Sequence, residues 1–347
     1  MVEKRKVLVV DDVAMVRESI RDIIESIQGF EVIGEAGDGA TALRMIPSLR
    51  PDLITLDIVM PGMSGLTALK HLMIHSPTPT VMISSLTQEG AEQAFDSIRF
   101  GAVDFVPKLS KLEISDLERQ KAEVATKLRW AAQVDVQALR YLPLPPLARA
   151  GAEGEGEVER LVALGAAQGG YASLLKILPR LPASSPLTFI AVLYEHARYV
   201  DSFIDYLNRY CQIQVERAVD GAPLRPGVCY ISAGEDYVTL RHVGDGIGLH
   251  VHPAPFESQR GSFNRVLYSA TDMLGHQVVG VVLSGSGDDG AEGLAEVSRV
   301  GGVAIIQDPA SCLVREMAET ALAYSGEGGV ICDAHVADQL NRLFVEK

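Results

Sequence analysis

Between Lys6 and Leu109 short apolar runs alternate with segments whose apolar positions recur every three to four residues. The runs "VLVV" (7–10), "FEVIGEA" (30–36), "LITLD" (53–57), "TVMIS" (80–84) and "VDFVP" (103–107) have the length and β-branched content of strands. In the first segment between them, Val16, Ile20, Ile23, Ile24 and Ile27 share one face of a 3.6-residue period, which predicts an amphipathic helix. Five such β-α units predict a doubly wound parallel sheet, with its ligand crevice at the carboxyl ends of the strands.

Residues 110–134 read as a charged helix carrying the only tryptophan, Trp130. The stretch "YLPLPPLARAGAEGEGEVE" that follows breaks every period with Pro, Gly and Glu, the composition of an extended linker. A second β-α series starts at Arg160, with apolar strands expected at 161–164, 187–193 and 278–284. Turn signals and alternation over 211–255 predict antiparallel strands, and "AHVADQLNRLFVEK" predicts a closing helix. The expected organisation is therefore an α/β domain over 1–109, a helix and linker over 110–158, and a second α/β domain over 159–347, mostly parallel with a short antiparallel section.

Composition narrows the function classes. A net charge of −14, with no compensating Lys/Arg cluster, opposes binding to nucleic acid. The N-terminal apolar run is short and leads into Asp11-Asp12, unlike a signal peptide, and no apolar stretch approaches the roughly 18 residues of a membrane span. A cytoplasmic chain without membrane insertion is expected. Cys211, Cys229, Cys312 and Cys332 form no C-x-x-C pair and read as buried thiols.

Carboxylates stand where the first domain's strands should end: Asp11 and Asp12 after the first, Asp57 at the third. Their mutual repulsion suits a hard divalent cation such as Mg²⁺. Ser84 ends the fourth strand and Lys108 follows the fifth, so the crevice holds a metal site, a carboxylate nucleophile, a hydroxyl and a cation, the parts of a phosphoryl-transfer site. Residues 5–109, including the loop "LDIVMPGMSG", resemble the receiver domain of two-component response regulators. The resemblance implies Asp57 as phospho-acceptor, Asp11, Asp12 and Asp57 as metal carboxylates, Ser84 and Phe105 as switch residues, and Lys108 as the phosphate-contacting lysine. Leu109 departs from the proline usual after that lysine.

The second domain offers the parts of a nucleophilic hydrolase with one missing. "LGAAQGG" (164–170) has the glycine frame of a strand-to-helix nucleophile turn, yet its centre is Ala167. His196 in "VLYEHARYV" and Asp289 in "LSGSGDDGAEGL" could serve as proton acceptor and orienting carboxylate. With "RGSFNRVLYSA" and "EMAETA", these motifs resemble the catalytic domain of chemotaxis receptor methylesterases, which also deamidate receptor glutamines, over 160–346. In that family the turn reads I-G-A-S-T-G-G, so its serine falls on Ala167 and its threonine on Gln168. The resemblance implies His196 and Asp289 as triad members and the backbone amide of Ser286 as oxyanion donor. Gln168, Glu195, Ser286 and Tyr237 are further departures, and the His250/His252 pair reads as an exposed strand face rather than a metal pair.

A methyl group can neither attack a carbonyl nor be activated by a histidine, and loss of a triad nucleophile costs roughly 10⁶ in turnover. The expectation is a phosphorylation-controlled relative of the methylesterases that does not hydrolyse its target. The resemblance implies a chemotaxis-type sensor histidine kinase and methyl-accepting chemotaxis receptors as partners, and a receiver that covers the output cleft before phosphorylation. The alternative is an active receptor methylesterase and glutamine deamidase with another nucleophile, Ser286 or Ser173 being the candidates.

Overall fold

The computed structural model describes residues 4–84, 88–108, 114–135, 139, 141–145, 158–254, 261–325 and 329–345. The chain divides into two compact units at Leu142/Pro143.

In the first unit β1 (Arg5–Val10), β2 (Phe30–Ala36), β3 (Leu53–Asp57), β4 (Thr80–Ser84) and β5 (Asp104–Pro107) form one parallel sheet in the order β2-β1-β3-β4-β5. The helices α1 (Ala14–Ser26), α2 (Gly39–Leu49), α3 (Gly65–His75), α4 (Gln88–Arg99) and α5 (Ile114–Ala131) follow the strands in turn. Val7 to Val10 are all buried, as a strand covered on both faces requires. The sequence places residues 110–134 in the connection; in the structure α5 packs against β5, β4 and α1 through a stripe including Val124, Leu128 and Ala131.

The second unit has a seven-stranded sheet in the order β14-β13-β12-β6-β7-β9-β8, in which every pair is parallel. Its strands are β6 (Arg160–Ala166), β7 (Leu187–Leu193), β8 (Gln214–Arg217), β9 (Val228–Ser232), β12 (Val278–Val282), β13 (Val303–Gln307) and β14 (Gly329–Ile331). The expectation of antiparallel strands over 211–255 holds only for the hairpin of β10 (Asp236–Val243) and β11 (Gly246–Pro253). β8 and β9 join the parallel sheet instead, because their partners are set by β7 and not by local alternation. The helices are α6 (Gly170–Ile177), α7 (Ala197–Leu207), α8 (Ser262–Leu274), α9 (Ala291–Arg299), α10 (Glu316–Ser325) and α11 (Asp333–Val345), with α8 packed on both β10 and β6.

Register positions the chemistry. In the first sheet Val10 lies beside Leu56, Asp57 beside Ile83, and Ser84 beside Pro107. In the second, Ala166 lies beside Leu193 and Gly165 beside Val282, so the segments after β6, β7 and β12 leave the sheet side by side. Among the described residues no helix is long and apolar enough to cross a membrane.

Candidate functional site

Asp11, Asp57 and Ser84 are buried at the carboxyl edge of the first sheet, with Asp12 exposed at its rim. One carboxylate oxygen from each of Asp11, Asp12 and Asp57 lies within 4.8 Å of the others. Lys108 reaches over them, its Nζ 2.7 Å from Asp57 Oδ2 and 3.4 Å from Asp11 Oδ2. Asp11 Oδ1 accepts from the Val13 amide, but Oδ2 is buried without a hydrogen-bond donor, an atom suited to a cation. The donor set, three carboxylates and no nitrogen or sulfur, fits Mg²⁺.

Burial and the neighbouring charge of Asp11 push the Asp57 carboxyl above its ordinary range against the pull of Lys108. Burial works to lower the Lys108 ammonium, but its hydrogen bond to Asp57 and the negative charges of Asp57 and Asp11 outweigh that and raise it. The Ser84 hydroxyl donates to the Gly90 carbonyl at 2.9 Å, and Phe105 is buried edge-on against Phe95. Gly65, the last residue of "MPGMSG", is needed because any Cβ there would lie 1.8 Å from the Asp57 carbonyl oxygen. Leu109 lies outside the described residues.

In the second unit Ala167 is buried where β6 turns into α6. Its amide donates to the Ser284 carbonyl and its carbonyl accepts from Gly170. Gly169 takes φ +83°, a left-handed conformation that favours glycine, and a Cβ there would meet Ser284 Oγ at 2.7 Å. The turn therefore has the tight geometry its glycines suggest, around a methyl group.

His196 and Asp289 do not pair. No hydrogen bond joins them among the described residues. The His196 Nδ1 lies 2.7 Å from Glu235 Oε1, and Glu235 Oε2 accepts from the Ala197 amide at the start of α7. Asp289 sits at the N-terminus of α8, where Oδ2 accepts from the Phe263 amide at 3.0 Å and from the Tyr194 hydroxyl, and Oδ1 accepts from the Asn264 amide at 2.9 Å. Three donors and the positive end of a helix satisfy this carboxylate. Burial, with the charge of Asp289, drives the Tyr194 hydroxyl well above its usual range, so it stays a protonated donor.

The Ser286 amide is present, and it is taken. Both the Ser286 N–H and its hydroxyl donate to Gln168 Oε1 at 2.9 Å. Ser173 is buried, its hydroxyl donating to Gln307 Oε1. Tyr237 is buried with the Arg265 guanidinium 4.4 Å from its ring centre and His252 edge-on. His250 pairs with Asp220 at 3.0 Å rather than with a third metal ligand. Cys332 is exposed, unlike the other three cysteines.

Tyr194 and Glu235 were not among the residues singled out from sequence. Tyr194 carries a faint signal, lying directly after β7 and two residues before His196; Glu235 carries none.

The CheB methylesterase family model matches residues 162–340 and the response regulator receiver domain model matches residues 7–117. A protein-glutamate methylesterase/protein-glutamine glutaminase from Pyrococcus horikoshii is 36% identical over 327 residues, 93% of this chain and 89% of that protein. The chain belongs to the CheB methylesterase family. A second CheB relative, the protein of the same name from Escherichia coli K12, is 34% identical over 338 residues, covering 97% of this chain and 96% of its own. The crystal structure of the Thermotoga maritima CheB methylesterase catalytic domain covers 53% of this chain and 98% of that one with a TM-score of 0.50, at 24% identity, and shares its fold. This chain is thus a CheB-like chemotaxis response regulator with receiver and methylesterase-family domains.

Proposed function

We propose that the receiver takes a phosphoryl group on Asp57 and that the CheB-type unit engages chemotaxis receptors without hydrolysing their glutamyl esters or amides. The observation that carries this reading is the methyl group of Ala167 in the turn between β6 and α6. A methyl side chain has no lone pair to attack a carbonyl carbon and no acidic proton for a base to remove. The partners of the remaining residues support it: His196 is held by Glu235, and Asp289 by Tyr194 and α8. Ser286, Ser173 and Cys312 do not stand in for the missing nucleophile. Ser286 is engaged by Gln168, Ser173 is buried, and burial pushes the Cys312 thiol up to about 12, where thiolate is scarce.

In the receiver, Asp11, Asp12 and Asp57 would hold Mg²⁺. When bound, the ion offsets repulsion among the carboxylates and the charge of the incoming phosphoryl group. An Asp57 oxygen forms the new bond to phosphorus as the donor's bond to it breaks, and Lys108 remains close enough to contact the transferred group. Ser84 stands ready at the end of β4 to exchange its bond to Gly90 for one to phosphate. A chemotaxis-type sensor histidine kinase is the partner whose phosphohistidine fits this acceptor.

The test is methanol release from methylated receptor membranes by the full chain, with and without a small phosphodonor. No release above background is expected in either state. Release that disappears in His196→Ala would return the chain to the active methylesterases.

A further inference from the structure

The Ser286 N–H and O–H converge on a single point, and a carbonyl oxygen with two lone pairs is the chemical complement of that pair. The oxygen found there belongs to the chain itself: Gln168 Oε1, 2.9 Å from each donor. Because a backbone amide can only donate, the oxygen end of the Gln168 carboxamide must face it. We propose that the Gln168 carboxamide is a resident ligand of this carbonyl-binding subsite, so that a side-chain amide or ester carbonyl from a partner binds only by displacing it. This deepens the reading of the second unit as one that binds without hydrolysing.

The backbone of Gln168 is fixed independently of its side chain. Its carbonyl accepts from Ser284 Oγ at 2.8 Å, and Ser284 is itself tied to Gln307 through its amide. On either side, the Ala167 amide bonds the Ser284 carbonyl and Gly169 holds its left-handed turn. Opening the subsite therefore needs only rotation of the Gln168 side chain, with β6, α6 and the Ser286 loop unmoved. The exposure of Ser286 and the partial exposure of Gln168 leave that rotation a path into solvent.

The competition is uneven. Gln168 reaches the donors without losing translational freedom, whereas an external carbonyl must be gathered from solution. Two hydrogen bonds to neutral donors, together with this intramolecular advantage, predict that the resident carboxamide weakens binding of an external one by at least about tenfold.

The experiment uses the full-length chain labelled with ¹⁵N, in wild type, Gln168→Ala and Gln168→Glu. Amide exchange at Ser286 is expected to be at least about tenfold faster in Gln168→Ala than in wild type, and to stay slow in Gln168→Glu, which keeps an acceptor. The probe N-acetylglutamine methylamide is then titrated while the Ser286 amide shift is followed. Gln168→Ala is expected to saturate at a concentration at least about tenfold lower than wild type. Equal Ser286 exchange in wild type and Gln168→Ala, or equal probe affinity in the two, would overturn the proposal. Methanol release by wild type would instead refute the non-hydrolytic reading and leave these measurements standing.

Discussion

Lys127 carries its ammonium into the interior of the first unit, 3.1 Å from Asp104 Oδ2 and 3.2 Å from the Phe105 carbonyl. Burial pushes the Asp104 carboxyl up while Lys127 pulls it back. Removing Lys127 leaves the buried Asp104 carboxylate without its cation and with only the Phe105 amide as donor, so Lys127→Met is expected to lower stability by about 3–5 kcal/mol, and the double variant Asp104→Leu/Lys127→Met by less. Urea unfolding of the two variants checks the order. At the second unit, Ala167→Ser is expected to release no methanol from methylated receptors, since Gln168 covers the Ser286 donors and Asp289 is committed to Tyr194 and α8. Adding Gln168→Thr and Ser286→Met is expected to give partial recovery, still roughly hundredfold below an intact triad because His196 remains turned to Glu235. Turnover by the single variant would show the departures around it to be inert. Ala167, Asp57 and Lys108 were legible in the sequence because each sits at a strand end inside a recognisable motif. The pairings were not: Tyr194 meets Asp289 across 95 positions and His196 meets Glu235 across 39, distances at which no local spacing speaks.

At the scale of elements, α2 begins at Asp38, whose side chain accepts from the Thr41 amide at 2.8 Å and from the Thr41 hydroxyl. These bonds favour the carboxylate and hold Asp38 below the usual carboxylate range. A depressed carboxyl contributes stability that is fully present above its unfolded pKa and is lost as pH falls through the folded one. Asp38→Ala is therefore expected to melt lower than wild type at neutral pH, with the gap closing below about pH 4. A constant gap across thermal melts from neutral to acid would show that the cap does not depend on charge. The individual strands and helices were mostly legible from period alone, as Ile20, Ile23 and Ile24 on the buried face of α1 illustrate. Partnership was the harder part. The direction of β8 and β9 depends on β7, and the docking of α5 depends on a sheet built from residues far upstream, so neither is written in its own segment.

Taken as a whole molecule, the chain joins a receiver unit to a methylesterase-family unit whose β6–α6 turn holds a methyl group. Phosphodonor and Mg²⁺ are expected to add one phosphoryl group per chain by intact mass, and Asp57→Asn to abolish it; an unmodified wild type would remove the switch. The strand order of the second sheet bears on how such a chain is made. β6 emerges first from synthesis yet ends in the middle, with β7, β9 and β8 on one side and β12, β13 and β14 on the other. The side carrying β7 is complete by Ser232, but the other edge of β6 has no partner until Val278 to Val282 have been translated. During that interval a nascent chain exposes a strand edge that is wholly buried in the finished sheet. Ribosome-bound chains arrested between these two points are the ones expected to recruit chaperones and to aggregate on premature release.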